Sequence, residues 1–343
     1  MFLAGVGDLV VMRPLRHVRE QPEDSLLHLL ALVDFTVGNL EVPLTTTDRP
    51  QRTDIVLRGE PALISDVVAL GVDAVSLANN HAGDQGWDAL REMAEELELA
   101  GLVTLGIGAD VEAAFQPQLQ NVDGVDVAFV TATCVGFERY LAAPGRGGMA
   151  GVRVRTEYEP DAARLEWEPA TPARAVTTFD GGDLVRLLRA VEKASEMARL
   201  VVVVMHWGVS WADRPVAYQR ELGRQLVEAG ASAVLGAHSH TLQGVELHRG
   251  APIFYGLGSF VFNYDGPVAE RMPRDTAAAL LEVTGDGRVA GVRLVLGRLD
   301  AGGEPVRAHP ERAELMAETL ARNSAGWGAP FRLANDTLEF RLD

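Results

Sequence analysis

One cysteine, Cys134, stands among 343 residues. No intrachain disulfide can brace such a chain, so its stability must come from a packed core. Cys134 sits in a β-branched run over 127–135, Val-Ala-Phe-Val-Thr-Ala-Thr-Cys-Val, which reads as a buried strand and makes the thiol a small core residue rather than a nucleophile. Long apolar runs are missing as well. None approaches the about 20 residues that span a bilayer, and no basic region precedes the apolar start at Met1-Phe2-Leu3. Neither a signal peptide nor a membrane anchor is expected, which makes the cytoplasm the default location. Basic charge is scarce: 31 Lys and Arg face 48 Asp and Glu, a formal net charge of −17. That balance repels phosphodiester backbones and anionic membranes, so nucleic acid is an unfavourable partner. An acidic surface of this kind also suits a high-salt habitat.

What is present is an ordinary globular composition, 47% hydrophobic and 23% charged, with neither repeat nor low-complexity tract. Short apolar runs alternate with helical patterns over 1–135. Strands are expected at 2–11, 35–37 and 74–77, and helices at 24–32, 63–70 and 88–100, the last stopped by Gly101. This is the βαβ manner of an α/β core. Eleven prolines and glycines over 136–183 break the pattern, so 137–183 reads as a long loop or lid over a site. Its first part carries Arg139, Arg146, Arg153 and Arg155 against Glu138 alone, a candidate clamp for an anionic substrate. Beyond it, helices at 184–198 and 218–229 alternate with strands at 200–205 and 233–236. Runs at 252–262 and 277–297, the second folded at Thr284-Gly-Asp-Gly287, read as antiparallel sheet. One domain is expected over 1–300, with a helix near 310–322 and a strand near 337–342 packing on it from 301–343.

Polar residues collect where apolar runs end: Asp8, Asn39, Glu41, Asn79, Asn80, His81, Asp84, His206, His238 and His240. Such placement marks a site at the carboxyl edge of a sheet. Carboxylate, carboxamide and imidazole together suit a borderline divalent cation such as Mn, Fe, Zn or Co, whereas Ca or Mg favours oxygen alone. Dinucleotide binding is not indicated, because Gly5-Val-Gly7 and Gly106-Ile-Gly108 lack the third glycine. Gly258-Ser259-Phe260-Val261 is no nucleophile elbow, for want of a glycine two residues after the serine.

Six ordered motifs carry a resemblance. Gly7-Asp8, Asn39-Leu40-Glu41, Ala78-Asn79-Asn80-His81-Ala-Gly-Asp84-Gln-Gly86, His206-Trp207-Gly208, Gly236-Ala-His238-Ser-His240 and Ile253-Phe-Tyr-Gly-Leu-Gly-Ser-Phe260 resemble those of the CapA (poly-γ-glutamate capsule biosynthesis protein) family, in the calcineurin-like metallophosphoesterase superfamily. The resemblance covers about residues 1–265 and implies a four-layer α/β/β/α sandwich, of α/β (α+β) class, with a two-metal site at the strand ends. It implies Asp8 and His240 on one metal, Asn80, His206 and His238 on the other, Glu41 bridging, and His81 as general acid beside Asp84. Asn39, Asn79, Arg58, Arg139 and Trp207 would meet the substrate. Two departures are Gly-Ser-Phe for the usual Gly-Asn-Phe, and Val10 where the superfamily's Asp-x-His motif has a ligand histidine.

Valine cannot ligate, so one ion, two, or none remain open. With metal, the expectation is hydrolysis of a phosphoester or amide on a carboxylate-rich substrate such as a glutamyl polymer or peptide. Without it, Asp8 and one of His238 or His240 form a carboxylate–imidazole pair able to move a proton at an acidified carbon, as a peptide or amino-acid epimerase does. A third reading is a non-catalytic accessory protein of polymer synthesis that binds polyanion. The absence of an anchor favours a free enzyme over that role.

Overall fold

The computed structural model describes every residue of the chain save Thr53, Pro267 and Asp343. Its first strand, Phe2–Val10, is buried along nearly its whole length on both faces, the signature of a strand covered from two sides. It pairs in parallel with Phe35–Leu40, which continues to Ala74–Ser76 and then Val103–Leu105. On its other side Phe2–Val10 takes two partners, Ser259–Phe262 in parallel and Asp275–Val283 antiparallel. Val289–Leu299, Thr337–Arg341 and Arg332–Ala334 then extend this first sheet. A second sheet runs in the order Val245–His248, Ala251–Phe254, Ala233–Ala237, Leu200–His206, Val125–Thr133 and Gln118–Val122.

Three apolar clusters follow from this pairing. One lies where residues of both sheets meet: Leu3, Val37 and Leu294 from the first, Phe129, Val202 and Leu235 from the second. Phe35 stacks on Phe129 across it at 5.2 Å. The sheets come so close that a Cβ on Gly5 would sit 2.5 Å from a Leu235 methyl. A second cluster joins the first sheet to helices Ile64–Ala69 and Trp87–Leu99 through Val67, Leu90, Met93 and Leu97. The third joins the second sheet to Gly181–Met197 and Ala217–Glu228 through Leu187, Val191, Leu222 and Leu226. Among the described residues no helix is long and apolar enough to cross a membrane.

Several local expectations need correction. The run 252–262 is not one strand: it breaks after Phe254 and resumes at Ser259, and its two pieces join different sheets. Gly258 makes the crossing possible, with φ +75° and no room for a Cβ, which would lie 2.4 Å from the Asp275 carbonyl oxygen. The segment 137–183 is not a continuous loop. It contains an antiparallel pair, Val154–Glu159 with Arg174–Phe179, around the short helix Ala162–Leu165. Mostly exposed strands carry little apolar signal, and the flanking prolines obscured the pair. The helix expected at 24–32 shrinks to Leu27–Leu30. The C-terminal elements return to the first sheet and the inter-sheet cluster, where Pro305–Arg307 pairs with Val289–Leu299 and Met316 and Leu320 of Pro310–Asn323 are buried.

Candidate functional site

Both sheets present the carboxyl ends of parallel strands at one place. Across the first sheet the register aligns Asp8 with Asn39 and with Ser259, and Asn39 with Ser76. Across the second it aligns His206 with Ala237, so His238 follows at the same edge. The register slips at Asp8 against both parallel neighbours, a bulge that re-aims a side chain where regular pairing would not. Gly7 permits the slip, since a Cβ there would lie 1.8 Å from the Gly258 carbonyl oxygen.

Glu41 sits at the centre. It is 1% exposed, and neither carboxylate oxygen has a hydrogen-bond donor. A bare buried carboxylate costs several kcal/mol unless a positive partner compensates it. Burial first, then the nearby Asp8 charge, push its pKa well above the usual range. Two groups of metal-capable atoms meet at this residue: Glu41, His206 and His238 form one, Asp8, Glu41 and His240 the other, each within 4.8 Å. His206 Nε2 is 3.6 Å from Glu41 Oε1. The same nitrogen lies 2.6 Å from Asn80 Oδ1, which puts the carboxamide oxygen beside the first group. Orphaned carboxylate, imidazoles and carboxamide oxygen together fit a borderline divalent cation.

The histidines are held by unusual means. His238 and His240 have φ of +89° and +55°, left-handed values that side chains larger than glycine rarely adopt. Asp8 is what holds the bend: the His238 backbone N–H donates to Asp8 Oδ2 at 3.1 Å, and His240 Nδ1 lies 3.1 Å from the same oxygen. Burial lowers the His238 pKa to about 3, helped by the neighbouring His240, and lowers that of His206 well below its ordinary value. Both imidazoles are therefore neutral, the state that ligates metal. The Nδ1 of His238 has no hydrogen-bond partner.

His81 stands at the rim, its Nδ1 donating to Asp84 Oδ2 at 2.7 Å. Asp84 is buried and also accepts from the Leu57 N–H at 2.8 Å. The ring is thus fixed at Nδ1 and leaves Nε2 to meet a ligand.

The expected substrate contacts fare differently. Trp207 is 0% exposed, and its indole N–H donates to the Tyr255 carbonyl within the apolar cluster. It is a core residue and not a substrate contact. Asn39 donates to Asp8 Oδ1 at 2.9 Å and to His206 Nδ1 at 3.2 Å, so it orients two candidate ligands. Asn79 donates to Asn39 and the Leu40 carbonyl and accepts from the His81 and Ala82 N–H groups. Neither has a polar group left for substrate. Arg58 donates to the Thr45 carbonyl and Glu60. Arg139 is exposed and stacks over Phe137 at 4.3 Å.

Val10 is buried in the helix-side cluster. Cys134 follows the end of its strand, donating its N–H to the His206 carbonyl, and burial pushes its thiol pKa up, away from reactivity.

Three residues were missed. Ser259 Oγ is 3.0 Å from His240 Nδ1, and Ser210 Oγ 3.3 Å from His238 Nε2. Arg52 Nη1 lies 3.5 Å from the Asn80 carbonyl oxygen and 3.6 Å from Asp84 Oδ1. Ser259 lies within a quoted motif and could have been found; Arg52, in an irregular segment, offered no signal.

Known proteins resemble this chain at sequence level. It is 27% identical over 266 residues to the PGA biosynthesis protein CapA of Bacillus subtilis, covering 75% of this chain and 62% of that one. The capsule biosynthesis protein CapA of Bacillus anthracis is 28% identical over 297 residues, 81% of this chain and 65% of its own. A probable polyglutamine synthesis accessory protein of Mycobacterium tuberculosis is 29% identical over 238 residues, 68% and 57%. The chain thus spans under two thirds of these three relatives. Among solved structures, a hypothetical protein from Thermus thermophilus shares 20% identity at TM-score 0.45, covering 89% of this chain and 96% of that one. A putative 5'-nucleotidase from Staphylococcus aureus, in complex with alpha-ketoglutarate, shares 13% at TM-score 0.46, covering 93% and 58%. Likeness at that level is partial and assigns no property to this chain. Residues 3–264 match the family described as bacterial capsule synthesis protein PGA_cap, and the chain belongs to that family.

Proposed function

We propose that the chain is a metallophosphoesterase-like hydrolase that cleaves a phosphoester or amide in a carboxylate-rich substrate, such as a glutamyl polymer or peptide. The observation that carries this reading is Glu41, a buried carboxylate without a donor, common to two groups of ligand atoms. Asp8, Glu41 and His240 would hold one divalent ion, and Glu41, Asn80, His206 and His238 another. When bound, such an ion supplies Lewis acidity and lowers the pKa of water. The chain's own residues do the rest. Asp8 holds the histidine bend, Asn39 orients Asp8 and His206, and Asp84 orients His81. In its protonated form, with Nδ1–H on Asp84 and Nε2–H toward the site, His81 would give the Nε2 proton to the leaving oxygen or nitrogen as the bond breaks and be left neutral. Arg139 and Arg58, both at least partly exposed, are the proposed contacts for substrate carboxylates.

The test is metal content of protein purified without added metal, read beside activity before and after chelation. One or two ions per chain, lost in Glu41→Gln, support the proposal. A metal-free chain whose activity survives chelation overturns it.

A second reading has its own support. Asp8 Oδ2 and His240 Nδ1 are 3.1 Å apart, and Val10 leaves that half of the cluster a ligand short. Such a pair could exchange a proton at a substrate carbon, as an epimerase does. Solvent deuterium appearing at carbon, abolished by Asp8→Asn, supports it; no label ends it. The likeness to a probable polyglutamine synthesis accessory protein of Mycobacterium tuberculosis favours the third reading, polyanion binding alone. In that case His81→Ala and His240→Ala keep cellular function.

A further inference from the structure

The arginines of 137–156 do not form one flexible clamp. Arg153 is held by Asp183 through Nε at 2.6 Å and Nη2 at 3.0 Å, with Asp180 at 3.4 Å. Arg155 lies on the exposed hairpin opposite Thr178. Arg146 donates only to the Leu141 and Glu138 carbonyl oxygens, at 3.0 and 3.5 Å, and Arg139 to that of Gln51. These two exposed guanidiniums are free of carboxylates among the described contacts.

Tertiary structure adds two arginines that sequence order did not associate with them. Arg186, from helix Gly181–Met197, joins Arg139, Arg146 and Arg153 around a cavity of about 480 Å³. Its acidic lining residues are Glu138 and Asp183 alone. Arg153 and Arg186 are paired with Asp180, Asp183 and Glu112, which leaves Arg139 and Arg146 as the guanidiniums open to a ligand. Two such groups side by side on a chain of net charge −17 draw oxyanions toward one place on an otherwise repelling surface. Arg52 is the second addition. Its guanidinium lies over Phe137 at 5.2 Å, the ring that Arg139 covers at 4.3 Å. It also reaches the Asn80 carbonyl and is paired with Asp54 and Asp84. Guanidinium groups therefore continue from the cavity to the Asn80 corner of the cluster.

We infer that this cavity is an oxyanion subsite that takes a substrate carboxylate remote from the bond being broken, with Arg139, Phe137 and Arg52 spanning the distance to the cluster. The choice of carboxylate rests on the proposed hydrolase reading; the sign and shape of the site do not. Guanidinium forks fit carboxylates two bonds at a time, which suits Arg146 and Arg139.

The experiment uses fluorescence anisotropy of the full chain, treated with chelator, and a labelled γ-linked glutamate decamer. Saturable binding that weakens with salt is expected, reduced roughly five- to tenfold by Arg146→Ala and by Arg139→Ala, the weight of one exposed charge-assisted contact. Arg146→Lys should recover part of the loss, and Arg288→Ala, on a distant turn, should change nothing. Arg146 meets only backbone carbonyl oxygens, so its loss leaves the fold intact. Equal affinity of wild type and both alanine variants, or of the decamer and its fully amidated form, overturns the inference. Polyphosphate binding without decamer binding overturns the carboxylate assignment. Because chelated protein is used, decamer binding in a chain without hydrolase activity sinks the hydrolase reading and keeps the subsite.

Discussion

The two halves of the cluster share Glu41 and differ in almost everything else. The inner half, with His206 and His238, is wholly buried; burial keeps both imidazoles neutral, and Asn80 adds an oxygen. The outer half, with Asp8 and His240, opens at His240, and Val10, which the sequence resemblance put at a ligand position, packs into the helix-side cluster. The difference teaches that one constellation can contain a preorganised binding site and a looser place where a side chain is free to act on substrate. Ligand atoms that are already neutral and dehydrated bind metal at smaller cost than those that must shed water or a proton.

Removing the shared member should have the largest effect. Glu41→Gln is expected to abolish metal binding in both halves while stabilising the metal-free chain by about 1–3 kcal/mol, since an uncompensated buried charge disappears. Metal analysis and denaturant unfolding under chelation check both parts; retained metal, or a less stable apo form, breaks the assignment of Glu41 as the common ligand. Next comes the contrast itself. His206→Ala should weaken metal binding on the order of a hundredfold, about 2.7 kcal/mol, and His240→Ala by roughly tenfold or less. Equal losses in competition titrations against a chelating dye would erase the distinction between inner and outer halves.

Asn39→Ala touches both halves, through Asp8 and His206. An outer-shell partner of this kind carries about 10- to 100-fold in affinity, and the loss should appear in both halves at its lower end. A loss confined to one half would show that only one of the two contacts matters. The smallest change should follow Val10→His. Val10 pairs with Phe262, whose ring lies 5.8 Å from that of His240. A histidine there should raise metal stoichiometry in the outer half, against an overpacking cost of about 1–3 kcal/mol. Unchanged stoichiometry in a folded variant would mean that a missing ligand is not what sets the two halves apart.

Legibility in the sequence followed a physical rule. Asp8, Glu41, Asn80, His206, His238 and His240 stand out because a polar residue at the end of a buried apolar run has few structural uses. Trp207 misled for the same reason: it follows His206 at a strand end, yet its indole turns into the core to meet Tyr255. Residue type and position along a strand do not say to which side a ring turns. The hairpin Val154–Glu159 with Arg174–Phe179 was hidden by its exposure, for a solvated strand need not alternate. The break at 255–258 was invisible too, because two buried strands of different sheets have the same composition as one.

Taken alone, the order of apolar runs, helical periods and terminal polar residues determined an α/β chain with its chemistry at the strand ends. Those are local properties, set by hydrophobic burial and backbone periodicity. Only the tertiary structure decided that Glu41 lacks a partner, that Asp8 holds two histidines in a left-handed bend, and that Arg52 and Arg186 join arginines far from them in sequence. Pairing, desolvation and charge proximity depend on distances between residues remote along the chain, and sheet register and packing set those distances.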